Sequence, residues 1–197
     1  MVDVRRRCPG RPGGSTRWCR RLEGHQPERR ERLAGDIRES ADAVGIAEIP
    51  VGRIDADGTD MNTLTVDGQA EALSAVARDG LSGTVDAGDT DAARFGRRVA
   101  DAVDTDVAVT AEHGADETDS LVGAASIIAK VARDTHVADL AEEYGDVGSG
   151  YPSDPTTRAF LADYVDRHSE LPACARRSWS TCDDVLAAAE QASLGDF

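Results

Sequence analysis

Apolar and polar positions along this chain keep two periods, and the change between them predicts the elements. Over residues 27–44, PERRERLAGDIRESADAV, Leu33, Ile37 and Ala41 recur at helical spacing, and Pro27 suits a first turn. GIAEIPVGRI (45–54) is rich in Ile and Val and reads as a strand, with Pro50 marking an edge position. DADGTDMN is turn chemistry. TLTVDGQAEALSAVARDG predicts a helix over 63–80, closed by Gly80 as a left-handed cap. LSGTVDA (81–87) and DVAVTAEH (106–113) predict strands, with a helix over DAARFGRRVADAV (91–103) between them. Beyond residue 116 the strand signals stop. Three helices are expected there, over 117–143, 154–168 and 181–192, with Ser153-Asp154-Pro155 and Thr181-x-x-Asp184 as starts.

Strands alternating with helices predict an α/β layer fold, here with a helical extension after it. Residues 1–26 fit neither period; they mix Arg, Pro, Gly, Cys and Trp. The chain therefore divides into an atypical segment (1–26) expected to be disordered, an α/β core (27–143) and a C-terminal helical extension (144–197).

Charge sharpens that division. Residues 1–33 carry ten arginines against four acids, whereas residues 34–197 carry twelve basic groups against thirty-three acidic ones. The acids interleave with periodic apolar residues and form no blocks, so the pattern is that of a folded, salt-adapted surface and not of an acidic disordered tail. Such a surface repels nucleic acid at low salt, and at high salt the counterion term of phosphate binding is weak. A nucleic-acid partner would have to be recognised at a compact site. The four cysteines form no CxxC pair, which points to reduced thiols. No apolar run has the length of a membrane span and no signal-like segment opens the chain, so a cytoplasmic location and no membrane partner are expected. A monomer is the simplest assembly.

Three stretches could carry chemistry. Asp86 closes one predicted strand and Asp116 follows the other, and loops at strand ends in α/β sheets gather into one crevice. Two carboxylates there would suit a hard divalent ion, Mn²⁺ or Mg²⁺. Each could equally be a helix cap or a solvated loop acid. Ser126 and Lys130, four apart with Arg133 close by, make either a phosphate-facing edge or an ordinary solvated face. Lys130 is the chain's sole lysine among twenty-two basic residues, which favours a site needing a compact point charge. In GDVGSGYPSDP (145–155), Gly145, Gly148 and Gly150 permit a tight loop presenting Tyr151 for stacking, or a plain interhelical connection.

In order and separation, VDAGDTDAARFG, AEHGADE, GAASIIAKVARD, EYGDVGSGYPSDPTTRAFL and RRSWSTC resemble the motifs of ribonuclease HII in its archaeal form, over about residues 27–192. The resemblance implies a ribonuclease H-like fold, a mixed sheet with flanking helices, plus the C-terminal helical extension. It implies an endonuclease that cuts the RNA strand of RNA–DNA hybrids and beside ribonucleotides embedded in duplex DNA, by a two-metal-ion mechanism. On matching positions, Asp86 and Asp116 become catalytic metal-binding aspartates, Lys130 lies close to substrate phosphate, with Ser126 on the same edge, and Tyr151 reads the ribose-to-deoxyribose junction. The family opens with a strand bearing an Asp-Glu pair and a Gly-rich turn that contacts the 2′-OH. Residues 1–26 match neither, and a shifted reading frame or mis-started gene is the expected origin of that segment. The sheet is then expected to lack its first strands, and the competing reading is a catalytically inactive hybrid-binding remnant.

Overall fold

A computed structural model describes Val2–Arg5 and residues 27–195. Of the segment 1–26, only Val2–Arg5 (β1) is among them, and the expectation of disorder otherwise lies outside the described residues. The described residues form two compact units, one drawn from 1–49 with 60–132 and the other from 50–59 with 133–197.

In the first unit β1 pairs antiparallel with Ala43–Ile46 (β2), with Asp3 opposite Gly45. Gly45 is obligatory: a Cβ there would stand 2.0 Å from the Ala72 carbonyl oxygen, so closely does β2 lie on the helix Met61–Ser74 (α3). Asp60 caps α3, accepting from the Thr63 amide (2.9 Å) and hydroxyl (2.7 Å). A second sheet holds Leu81–Asp86 (β3) and Val107–Glu112 (β4), paired in parallel from Leu81 opposite Val107 to Asp86 opposite Glu112. Parallel neighbours need a crossover, and the helix Ala92–Asp101 (α4) provides it. Along β4 the pleat alternates: Val107, Val109 and Ala111 face the core, while Ala108, Thr110 and Glu112 are exposed. The core between this sheet and the helices is built on Val66, Ala70, Leu73, Val76, Phe95, Val99 and Val103.

A second cluster joins Pro27–Ser40 (α1) to the first part of Ser120–Tyr144 (α6), through Ala34 and Ile37 against Ala124, Ile127 and Ile128. Leu33 and Ala41 pack beside Ile37, as the spacing predicts. The spacing predicts an apolar face of Leu121, Ala124, Ala125, Ile128, Val131 and Ala132 on α6; Ala124, Ala125, Ile128 and Val131 do pack in this cluster, while Leu121 stands outside it. Leu121 is 40% exposed, and Val122, Gly123 and Ile127 are buried with Ala124 and Ile128. The reason is the helix start: Asp119 breaks the predicted 117–143 helix into the single turn Ala115–Thr118 (α5) and α6, its carboxylate accepting from the Leu121 amide at 2.7 Å.

Two further expectations are corrected. Residues 45–54 are not one strand: β2 ends at Ile46, and Val51–Ile54 (α2) is a helical turn whose Arg53 and Ile54 amides donate to the Pro50 carbonyl. The helix predicted to Gly80 ends at Ser74. Gly80 does take a left-handed conformation (φ +76°), but at the entry to β3, where its amide donates to the Asp106 carbonyl.

The second unit carries the later part of α6, Pro155–His168 (α7) and Ser180–Gly195 (α8). Leu161, Val165, Leu171 and Cys182 form its core. Asp55 accepts from the amides of Arg177 and Ser178 and from the Ser178 hydroxyl at 2.7 Å, binding the 50–59 segment to the RRSW stretch. Among the described residues no helix is long and apolar enough to cross a membrane.

Phe95 is fully buried. Phe95→Ala should therefore destabilise the chain by about 3–5 kcal/mol. Leu121→Ala, at an exposed position, should stay within about 0.5 kcal/mol. Denaturant midpoints at constant m-value check both; a large loss at Leu121 would restore the face read from the sequence.

Candidate functional site

Asp86 is the last residue of β3 and half-buried. Its Oδ1 accepts from the Ala115 amide at 3.1 Å, across from β3 to the turn that follows β4. Asp116 is the next residue after that amide, in the first turn of α5. Parallel pairing makes this meeting possible, since both strands end on the same side of the sheet, and Ala87 extends the ladder by donating to the Glu112 carbonyl at 2.9 Å. Gly114 makes the bend between β4 and α5 with φ +65°. The structure thus brings the two predicted aspartates to neighbouring places at one end of the sheet. Their carboxylate oxygens are suitable donors for a hard divalent cation. No group of three His, Cys, Asp or Glu arranged to hold a metal occurs among the described residues, so Asp86 and Asp116 are at most part of a ligand set.

Behind Asp86 stands a residue that spacing did not single out. Gln69 of α3 is 2% exposed, and its Nε2 donates to the Asp86 carbonyl at 2.9 Å. A lone glutamine inside a stretch of Leu, Val and Ala leaves no periodic signal. Asp119 was missed too, although an Asp just before an apolar run is a recognisable cap.

Asp89, beside the site, is buried and accepts from Arg94, which holds its carboxyl below the usual range. Asp91 caps α4 by accepting from the Arg94 amide at 2.9 Å. The acids of VDAGDTD therefore divide between the sheet end and the start of α4.

Ser126 and Lys130 share one side of α6, Ser126 half-buried and Lys130 exposed. Arg133 follows on the same helix. Its guanidinium lies over the Tyr151 ring, 4.3 Å from the centroid, and donates to the Ser149 carbonyl. Tyr151 is 56% exposed. One face of its ring is covered by a cation, a contact that holds an aromatic in place without burying it.

The loop that carries Tyr151 is tightly built. Gly145, Gly148 and Gly150 all have positive φ, at +88°, +66° and +73°. At Gly148 a Cβ would come within 2.6 Å of the Asp154 carboxylate, so no other residue fits. Thr157, buried, donates to the Val147 carbonyl and accepts from the Gly150 amide, each at 2.9 Å. Asp154 caps α7 by accepting from the Thr156 amide at 3.0 Å, and also accepts from the Ser149 amide. The Ser149 amide and hydroxyl, with help from Thr156 and Thr157, hold the Asp154 carboxyl down at about 2.

Comparison with known proteins places these features in a family. The model of the family described as Ribonuclease HII matches residues 25–182. The ribonuclease HII of Haloarcula marismortui is 91% identical over 172 residues, covering 87% of this chain and 82% of that protein. The crystal structure of ribonuclease H2 from Pyrococcus horikoshii superposes with a TM-score of 0.79 at 32% identity, covering 85% of this chain and 80% of that one. The RNase HII of Archaeoglobus fulgidus, solved in complex with PCNA, gives 0.72 at 32% identity, covering 83% and 78%. The fold is ribonuclease H-like α/β, as expected. Within the described residues its strands pair as β1–β2, antiparallel, and β3–β4, parallel.

The Asp154 geometry makes a pH prediction. Its folded value, about 2, lies below the unfolded one, so its contribution is complete above about pH 4 and is lost as pH falls through about 2. The gap in unfolding midpoint between the unmodified chain and Asp154→Ala should be constant above pH 5 and close between about pH 4 and pH 2. A gap that persists unchanged at pH 2 would show that the carboxylate's charge does not hold the loop.

Proposed function

The chain belongs to the ribonuclease HII family, and on that premise we propose that it is an endonuclease that hydrolyses the RNA strand of RNA–DNA hybrids and cuts at ribonucleotides embedded in DNA. The observation that carries this reading is the Ala115 amide held on the Asp86 carboxylate, which sets Asp86 beside Asp116 at the sheet end. Asp86 and Asp116 are assigned as catalytic residues and as ligands for Mn²⁺ or Mg²⁺. Bound divalent ions would supply an activated water and neutralise the leaving oxygen.

The remaining roles belong to the chain's own groups. Lys130, exposed on α6, offers an ammonium to a substrate phosphate, and Ser126 a hydroxyl one turn away. Tyr151 presents the ring face that Arg133 leaves open to the sugar at the junction, where the 2′-OH distinguishes RNA from DNA. Because the chain carries a net charge of −15, affinity must come from such local groups and not from a basic face. By likeness to the Archaeoglobus fulgidus relative, a PCNA-type clamp is proposed as a protein partner.

A second reading, binding without cleavage, is favoured by the sequence of residues 1–26, which carries no Asp-Glu pair. One assay separates the two, using a duplex with a single ribonucleotide, Mn²⁺ or Mg²⁺, and high salt. The chain as it stands is expected to nick slowly if at all. Exchanging residues 1–26 for a family-type opening strand and turn should raise nicking on the 5′ side of the ribonucleotide by about 100-fold or more, and Asp116→Asn should abolish the gain. Fast metal-dependent cutting by the unmodified chain would show that other acids complete the site. Failure to bind or cut in either form would sink both readings.

A further inference from the structure

Gln69 is a costly residue to keep where it stands. It sits on α3 among Val66, Ala70 and Leu73, all buried, and is itself 98% buried. An amide placed in such surroundings loses its water, and the loss is recovered only through hydrogen bonds. Gln69 recovers half: Nε2 donates to the Asp86 carbonyl at 2.9 Å, while the buried Oε1 has no partner among the described residues. The orientation follows from chemistry. A carbonyl oxygen only accepts, so the atom facing Asp86 must be the NH₂ group. A methionine or leucine would fill this place without stranding an acceptor, and cores tolerate such volume-conserving changes. What an apolar residue could not do is hold the last carbonyl of β3.

We propose that Gln69 is the positioning residue of Asp86, fixing the end of β3 from inside the core so that the Asp86 carboxylate stays on the Ala115 amide beside Asp116. The inference rests on the reading of Asp86 as a site residue. Asp86 is held at two points: by its main-chain carbonyl from α3, and by its carboxylate from the turn after β4. Loss of the first removes the hold from the core side, leaving Asp86 to its carboxylate contact and to the Ala87–Glu112 ladder bond that follows it. The stranded Oε1 is the local stability surrendered for that hold.

The test separates a positioning role from a packing role. Gln69→Met and Gln69→Asn are compared with the unmodified chain by amide hydrogen exchange and thermal unfolding. The Gly80 amide, bonded to the Asp106 carbonyl at the opposite end of the β3–β4 pair, serves as internal reference. In Gln69→Met the unfolding midpoint should stay level or rise, while Ala115 exchange quickens at least tenfold relative to Gly80. Gln69→Asn keeps the amide but is one methylene too short, and should quicken Ala115 in the same way. Unchanged Ala115 exchange in a folded variant overturns the proposal, as does a midpoint drop with Ala115 and Gly80 quickening alike. Mn²⁺ titration, read from broadening of the Ala115 and Asp116 resonances, should need several-fold more metal in Gln69→Met. If the unmodified chain shows no such broadening, the metal-site reading fails, and the exchange data still decide the role of Gln69.

Discussion

The candidate site depends on one hydrogen bond, from the Ala115 amide to the Asp86 carboxylate. Everything that makes it possible is upstream in the fold. Parallel pairing of β3 and β4 sends both chains out at the same end of the sheet, which an antiparallel pair would not do. The crossover helix α4 that parallel pairing demands is held down by Phe95 and Val99, and α3 packs beside it. Arg98 of α4 also reaches the Thr63 hydroxyl on α3 at 3.0 Å. The bond therefore reports on the whole first unit: strand register, crossover and core must all be in place before two acids distant in sequence become neighbours.

The second unit solves a different problem, how to present an aromatic ring in an acidic molecule. Tyr151 is exposed, so packing cannot hold it. The loop uses polar contacts instead: Asp154 and Thr157 gather the amides of Ser149 and Gly150, and Arg133 covers one ring face. These are short-range contacts, which salt weakens far less than it weakens interactions between separated surface charges. A chain with thirty-seven acidic residues cannot rely on long-range attraction to a polyanion. Fixed local geometry is the alternative that high salt leaves intact.

How much of this could be read from the sequence follows the same physics. β3 and β4 were legible because short apolar runs bounded by Gly and Asp have few other uses, and α7 because Asp154-Pro155 is a cap followed by a first-turn proline. The errors came where burial continues past an element. Val76 is buried in the core yet lies beyond the end of α3, so the apolar period overran the helix. At 45–54 the Ile and Val residues resembled a strand, but the Pro50 carbonyl collects the Arg53 and Ile54 amides and turns the chain into α2. Asp86 and Asp116 could be named from placement and family likeness. Their convergence could be expected from strand ends that share one edge of a sheet, but the contact that joins them, the Ala115 amide on the Asp86 carboxylate, rests on strand register, which one sequence does not display.

Gln69 marks the limit of such reading, because its significance is an absence. Hydrophobic patterning treats a polar residue in an apolar stretch as an interruption, and only coordinates show whether its hydrogen bonds are complete. Here they are half complete, and the half that is made ends on the residue at the centre of the site. A core selected for stability alone would have replaced the amide by a hydrocarbon of equal volume. The same contrast separates Gln69 from Thr157, whose buried hydroxyl both donates and accepts and so carries no unsatisfied group. Where a buried polar residue is fully paired, structure alone accounts for it; where it is stranded on one side and aimed at a site residue on the other, function is the better account.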